Sequence, residues 1–361
     1  MPPLPDQGEA GQPALPVAVL TPLSGELATF GEAVRNGVGL ALDEWNARGG
    51  ASGQRLQAVW VDTPCEAGAA EDAAEQVIAD GVQFIIGGMC SEAAVPIARV
   101  ADERGALFVA TGGTHPRVTV APDGSTRRLV FTAAFPYPYQ GRAAARFLVE
   151  TLGITRTAVL VRANDPFGRD VAATFEPTMI AAGGRVVTPT IIAGPDVDLV
   201  PAAVEGGAQA LYVPGDASLV EQVNRAAVAA GVAVAVVGSD WWARRELDLA
   251  ALEGAYLIAH YSAADSDTAA QAWALRYRAA YSLEPDALAA LGYDAANLLA
   301  TSIKAAADVT PAEVARVIAT TAYTGVTGSW QFDARHNPLK EAVFVQVRGG
   351  QLHRVGVGDV R

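Results

Sequence analysis

The chain has 361 residues, 51% hydrophobic and 18% charged, with two cysteines and a formal net charge of −13. That length exceeds one ordinary core and suits two domains of about 150–180 residues each. The acidic balance excludes nucleic acid and anionic membrane surfaces as partners, and no apolar run reaches the roughly 20 residues that span a bilayer.

Residues 1–14, from "MPPLPDQGEAGQPALP", are rich in Pro, Gly and polar residues and read as a flexible leader or tether. For an exported protein a targeting signal would have preceded them and been removed, with Met1 added; a cytoplasmic protein would also lack one. The two lysines, Lys304 and Lys340, against 24 arginines, read as genomic composition bias.

"VAVL" (17–20) predicts a strand. Val34, Val38, Ala41 and Trp45 recur at helical spacing between residues 31 and 48, and Gly49-Gly50 stops that helix. A strand at 56–61, a helix at 67–80, a strand at 82–86 and a helix at 92–104 follow, then strands at 106–110 and 128–132. The rhythm restarts with a helix at 139–152, a strand at 157–161, a helix at 169–182 and a strand at 185–189. Next come a short helix near 197–205, a strand at 210–213, a helix at 217–230, and strands at 233–237 and 255–259. Strands alternating with helices imply parallel sheets buried on both faces, and two such sets predict two doubly wound α/β lobes. Residues 267–320 break the pattern with three helical stretches, followed by strand-like 329–332 and 342–347.

The chemistry of an enzyme is largely missing. No GxGxxG opens a helix after a strand, no phosphate-binding GxxxxGK[ST] occurs, and there is no GxSxG elbow. His115, His260, His336 and His353 are scattered without metal-ligand spacing, and two cysteines alone build no zinc site. No cofactor or metal is expected. His115, near a loop, reads as a capping or solvent-facing residue rather than a catalytic one.

In open α/β sheets ligands sit at the carboxyl ends of strands. In "GGMCSEAAVP" (87–96), Ser91 follows a strand and precedes a helix, where it serves either as an N-cap alone or as part of an anion site with the free helix N–H groups. "ATGGTHP" (110–116) also follows a strand; Gly112 and Gly113 permit close approach of a ligand to the backbone, and Thr114 offers a hydroxyl. Cys65 and Cys90 each follow a strand, so they meet if those strands are neighbours. A disulfide would then close a loop of about 25 residues, contribute about 3 kcal/mol and imply an oxidising compartment. The alternative is two unrelated buried thiols.

"PLSGELATFGEAVRNGVGLALDEWNARGG", "DTPCEAG", "GVQFIIGGMCSEAAVP", "VATGGTHP", "NDPFGRD", "VVGSD", "LGYDAANLLATSIKAA" and "GVTGSWQFDARHNP" occur in that order. With them the chain resembles the periplasmic branched-chain amino-acid (Leu/Ile/Val)-binding proteins of ABC transporters, from about residue 15 to 350. The resemblance implies the type I periplasmic-binding-protein fold, with two lobes joined by three crossovers and a ligand trapped in the cleft between them. Lobe one would comprise 15–133 plus 263–331, and lobe two 134–262 plus 332–361.

It also implies that Ser91 and Thr114, with Gly112 and Gly113 beside Thr114, hold the ligand α-carboxylate, and that Asp240 holds the α-ammonium. Phe30 and Phe167 stand where relatives often carry tyrosine. Tyr137 and Tyr139 fall at a crossover, and Trp241-Trp242 follow Asp240 directly. For each ring the alternative is core packing. "YVPGDAS" puts Asp216 near the cleft, as a second acid for a ligand with another amino group or as a helix N-cap.

The function these features imply is non-enzymatic: a monomeric, extracytoplasmic solute-binding protein, secreted or lipid-anchored. It would deliver a hydrophobic amino acid, branched-chain or aromatic, to the membrane subunits of an ABC permease by hinge closure. The alternatives are a ligand-sensing regulator of the same fold and a binder of an amide, urea or an aromatic acid.

Overall fold

The structure is a computed structural model that describes residues 13–192, 199–240, 247–263 and 267–358. In chain order, β1 (Ala14–Thr21), α1 (Ala28–Asn46), β2 (Arg55–Asp62), α2 (Ala67–Ala79), β3 (Phe84–Gly87), α3 (Ser91–Arg104), β4 (Leu107–Ala110) and β5 (Val130–Thr132) build the first layer system. Its five strands are all parallel, in the order β2-β1-β3-β4-β5. Side chains alternate across each strand, so one strand feeds two cores. Val17 and Val19 of β1 enter one core with α1, while Ala18 and Leu20 enter the other with α2 and α3.

The second layer system begins with α4 (Tyr137–Arg146), which runs into a π-helical turn at Phe147–Thr151. It continues through β6 (Arg156–Arg162), α5 (Pro166–Ala181), β7 (Arg185–Ile192), α6 (Leu199–Glu205), β8 (Ala210–Val213), α7 (Ala217–Ala229), β9 (Ala235–Gly238) and β10 (Tyr256–Ala259). Ala158 and Leu160 of β6 face one core and Val159 and Val161 the other, the same division as in β1.

The late helices α8 (Thr268–Tyr281), α9 (Ala287–Ala305) and α10 (Pro311–Thr320) pack back on the first sheet: Trp273, Leu291 and Ile318 share its core with Val17 and Phe84. A hairpin, β11 (Tyr323–Gly325) and β12 (Gly328–Trp330), precedes β13 (Ala342–Arg348) and β14 (Gln351–Gly358). The last two strands join the second sheet antiparallel, giving the order β14-β13-β10-β9-β8-β6-β7. That sheet is therefore mixed rather than wholly parallel. The chain passes between the two layer systems after β5, after β10 and after β12.

Setting β13 and β14 aside, the strands of each sheet follow one order: second, first, third, fourth, fifth in the chain. Strand order reverses between β1 and β3 in one sheet and between β6 and β8 in the other, and ligands of open α/β sheets sit at such reversals. The loop holding Ser91 leaves β3, and the loop holding Asp216 leaves β8.

A buried polar relay lies at the last crossover. Lys340, 2% exposed, donates from Nζ to Thr327 Oγ1 at 2.9 Å and sits 4.7 Å from the centre of the Trp330 ring. Thr327 Oγ1 donates in turn to Asp294 Oδ2 at 2.6 Å, and Asp294 also accepts the N–H groups of Val326 and Thr327. Burial pulls the Lys340 ammonium down to about 7, outweighing the nearby Asp294 carboxylate. Burial likewise holds Asp294 above the ordinary carboxylate range.

Candidate functional site

Cys65 and Cys90 form a disulfide, with Cα atoms 5.9 Å apart. Their strands are not neighbours, because β1 lies between β2 and β3. The bridge forms because both loops extend past the carboxyl end of β1 and meet over it. It ties down the loop that starts α3.

Ser91 is the first residue of α3 rather than its N-cap. Cys90 takes the cap position with extended backbone (φ −112°, ψ 152°) and makes no side-chain cap bond. The carbonyl of Cys90 accepts the N–H groups of Ala93 and Ala94, while those of Ser91 and Glu92 have no acceptor among the described residues. The Ser91 hydroxyl accepts the N–H of His115 at 3.2 Å, which leaves its own hydrogen to donate elsewhere. Two helix N–H groups and a hydroxyl donor at a helix start suit an anion.

The next loop is pressed against this one. Gly113 donates its N–H to the Gly88 carbonyl at 2.9 Å, and a side chain at Gly113 would collide with the Ala94 methyl. Gly88, at φ 61°, adopts a left-handed conformation that L side chains rarely take. A side chain at Gly112 would meet the Met89 carbonyl. Gly112 and Gly113 thus serve close loop-to-loop packing, and the Gly113 N–H is already spent. Thr114 accepts the N–H of Tyr137 on its carbonyl at 2.9 Å, and its side chain is partly buried. His115 caps a 3-10 turn by accepting the Arg117 N–H on Nδ1 at 3.0 Å.

Tyr137 begins α4 at the first crossover and links the two halves. Its ring meets His115 edge-on at 5.5 Å and Phe167 at 5.3 Å, and its Oη donates to Asp170 Oδ2 at 2.7 Å. Burial and that bond push the phenol well above its ordinary value. Tyr139 donates to Asp333 at 2.7 Å, joining the first crossover to the third. Phe167 lies in the first turn of α5, partly buried, and Phe30 lies in the first turn of α1, also partly buried.

Asp240 follows β9. Its N–H donates to Gln140 Oε1 at 3.1 Å, and its Oδ2 lies 3.1 Å from Nε2 of His260, just after β10. The Asp240 side chain is 11% exposed and that of His260 5%. Burial holds the imidazole below its ordinary value, against the upward pull of the Asp240 hydrogen bond. His260 is the functional candidate that sequence spacing missed, because its partner lies 20 residues away on the neighbouring strand end.

Asp216 caps α7, accepting the Leu219 N–H on Oδ1 at 2.9 Å, and is exposed. Trp241, with Trp242, lies outside the described residues. Two cavities are lined by described residues. The first, of about 400 Å³, is lined by His260 itself, Thr327, Lys340 and Arg354, and the second, of about 650 Å³, by Arg35, Trp60 and Tyr281. Ser91, Thr114 and Asp240 line neither. Among the described residues no cluster of His, Cys, Asp and Glu would hold a metal, and no helix is long and apolar enough to cross a membrane.

The family model described as periplasmic binding protein matches residues 14–351. A leucine-, isoleucine-, valine-, threonine- and alanine-binding protein of Pseudomonas aeruginosa is 24% identical over 325 residues, covering 88% of this chain and 86% of the relative. A Leu/Ile/Val-binding protein of Rhizobium johnstonii is 30% identical over 182 residues, a match that spans about half of each chain (50% and 48%). The crystal structure of a leucine-binding protein from Thermotoga maritima superposes with a TM-score of 0.80 at 27% identity, covering 96% of this chain and 99% of that one. The chain belongs to the periplasmic binding protein family, a family of binding proteins and not of enzymes. Membership implies an extracytoplasmic location, where a disulfide such as Cys65–Cys90 persists.

Proposed function

We propose that this periplasmic binding protein captures a branched-chain amino acid between its lobes and presents it to the membrane subunits of an ABC importer, as a secreted or lipid-anchored monomer. The observation that carries the reading is the complementarity of two strand-end loops. On one side the N–H groups of Ser91 and Glu92, without an acceptor among the described residues, and the Ser91 hydroxyl offer donors to a carboxylate. On the other, Asp240 offers a carboxylate to an ammonium. A zwitterion satisfied at both ends only when the lobes close supplies the differential affinity that drives closure. Phe30, Phe167 and the Tyr137 ring supply apolar surface for an aliphatic side chain, with no tyrosine hydroxyl at 30 or 167 to select a polar one.

Asp216 is not assigned a ligand, since one of its oxygens is committed to the α7 cap. The names of the matched relatives support an aliphatic amino acid as the ligand class.

Native mass spectrometry tests the reading, on protein as purified and again after unfolding and refolding to strip ligand. Co-purified leucine, isoleucine or valine, or a selective adduct of the stripped protein with one of them, supports it. Folded, stripped protein that takes up none of the twenty amino acids contradicts it and points to an amide, urea or an aromatic acid.

A further inference from the structure

We infer that His260 is a positioning residue for the ammonium site: it donates Nε2–H to Asp240 Oδ2, fixing that carboxylate with Oδ1 left to meet the ligand. This rests on the assignment of the ligand ammonium to Asp240.

An ionised carboxylate only accepts, so the hydrogen in the 3.1 Å contact belongs to Nε2. The opposite nitrogen, Nδ1, is buried and has no partner among the described residues. Protonating it would place an N–H where nothing accepts, a costly burial, so the neutral Nε2–H tautomer is favoured. The Phe135 ring packs on the imidazole at 3.9 Å, and Gln140 of α4 anchors the Asp240 main chain at 3.1 Å. Asp240 is thus held from two elements, its carboxylate by the segment after β10 and its main chain by α4. Of the charged groups around His260, Asp240 draws a proton towards it and Lys340 of the third crossover opposes one, while Glu341 and Arg354 line the same cavity. The phenol of Tyr212 on β8, buried and unpartnered among the described residues, feels Asp240 as well.

A consequence for ligand binding follows from charge. A protonated His260 and a ligand ammonium compete for one carboxylate, so binding and protonation oppose each other by linkage. Affinity is flat around neutral pH, where His260 is already neutral, and falls in acid as His260 takes up a proton.

Two measurements test this. The first is ¹⁵N NMR of the imidazoles in ligand-free protein, where an H260Q spectrum assigns one resonance among four histidines. The Nε2–H tautomer at pH 7, with a pKa that falls in D240N, is expected; an Nδ1–H tautomer or a charged ring at pH 7 overturns the inference. The second is titration with L-leucine from pH 5 to 7.5. H260F, which lacks the donor, is expected to bind about 10-fold more weakly, the loss of one hydrogen bond to a charged group. H260Q, whose amide nitrogen replaces Nε2, is expected to keep near wild-type affinity and lose the acid dependence. Wild-type affinity in H260F together with impaired D240A overturns the role of His260 alone. Wild-type affinity in D240A overturns the ammonium assignment and this inference with it.

Discussion

The hydroxyl of Ser91 accepts the main-chain N–H of His115 at 3.2 Å, so the start of α3 and the loop after β4 are joined by the residue placed to meet a ligand carboxylate. The bond occupies an acceptor lone pair of the hydroxyl and leaves its hydrogen free to point at an anion. Ser91→Ala removes the donor and the loop tie together. It is expected to weaken leucine binding about 10-fold, with a small change in melting temperature, and Ser91→Thr is expected to recover most of the loss. Calorimetric titration of the three proteins checks this.

The Cys65–Cys90 bridge spans 25 residues of sequence. By the chain-entropy estimate, Cys65→Ser with Cys90→Ser lowers unfolding free energy by about 3 kcal/mol. Urea unfolding with and without a reductant checks it: reduction is expected to bring wild type to the stability of the double variant and to leave the variant unchanged.

Asp216 and Asp240 separate on the same grounds. Asp216→Ala loses a helix cap and is expected to cost about 1 kcal/mol of stability while leaving leucine affinity unchanged. A marked loss of affinity in Asp216→Ala at unchanged stability would assign it to the ligand instead.

Lys340 gives a pH signature. Its ammonium is held down to about 7 by burial, against an unfolded value of about 10.4. Between pH 7 and about 10 the unfolded chain therefore carries the proton that the folded chain has shed, and stability from this group rises with pH. Tyr139 and Tyr293, held up to about 12, act in the opposite sense only above pH 10. Urea unfolding at pH 7, 8, 9 and 10 is expected to show a steeper rise for wild type than for Lys340→Met. Equal slopes would refute the assignment.

Much of the fold is legible in the sequence because buried parallel strands are short continuous apolar runs. "FIIG" and "LFVA" are fully buried on both faces. β14 was not legible, because "QLHRVGVG" is an edge strand with only its last residue buried and carries no apolar run. β11, three residues long with one buried, left equally little trace. The cysteine pairing is legible from strand ends only as a possibility, and its condition of neighbouring strands does not hold: β1 lies between β2 and β3, and the bridge forms nonetheless. Ser91 as an N-cap failed because Cys90, tied by the bridge, carries the extended backbone of the cap position. His260 was invisible as a partner of Asp240, since local spacing does not say which strand ends lie side by side.

The central claim is that a zwitterionic amino acid is held with its ammonium at Asp240. Calorimetric titration of ligand-stripped wild type and Asp240→Ala with L-leucine, both shown to be folded, tests it most directly. The expected result is selective one-to-one binding by wild type and a loss of about 100-fold or more in the variant, the cost of a buried ammonium without its counter-charge. Equal leucine affinity in the two proteins would contradict the claim.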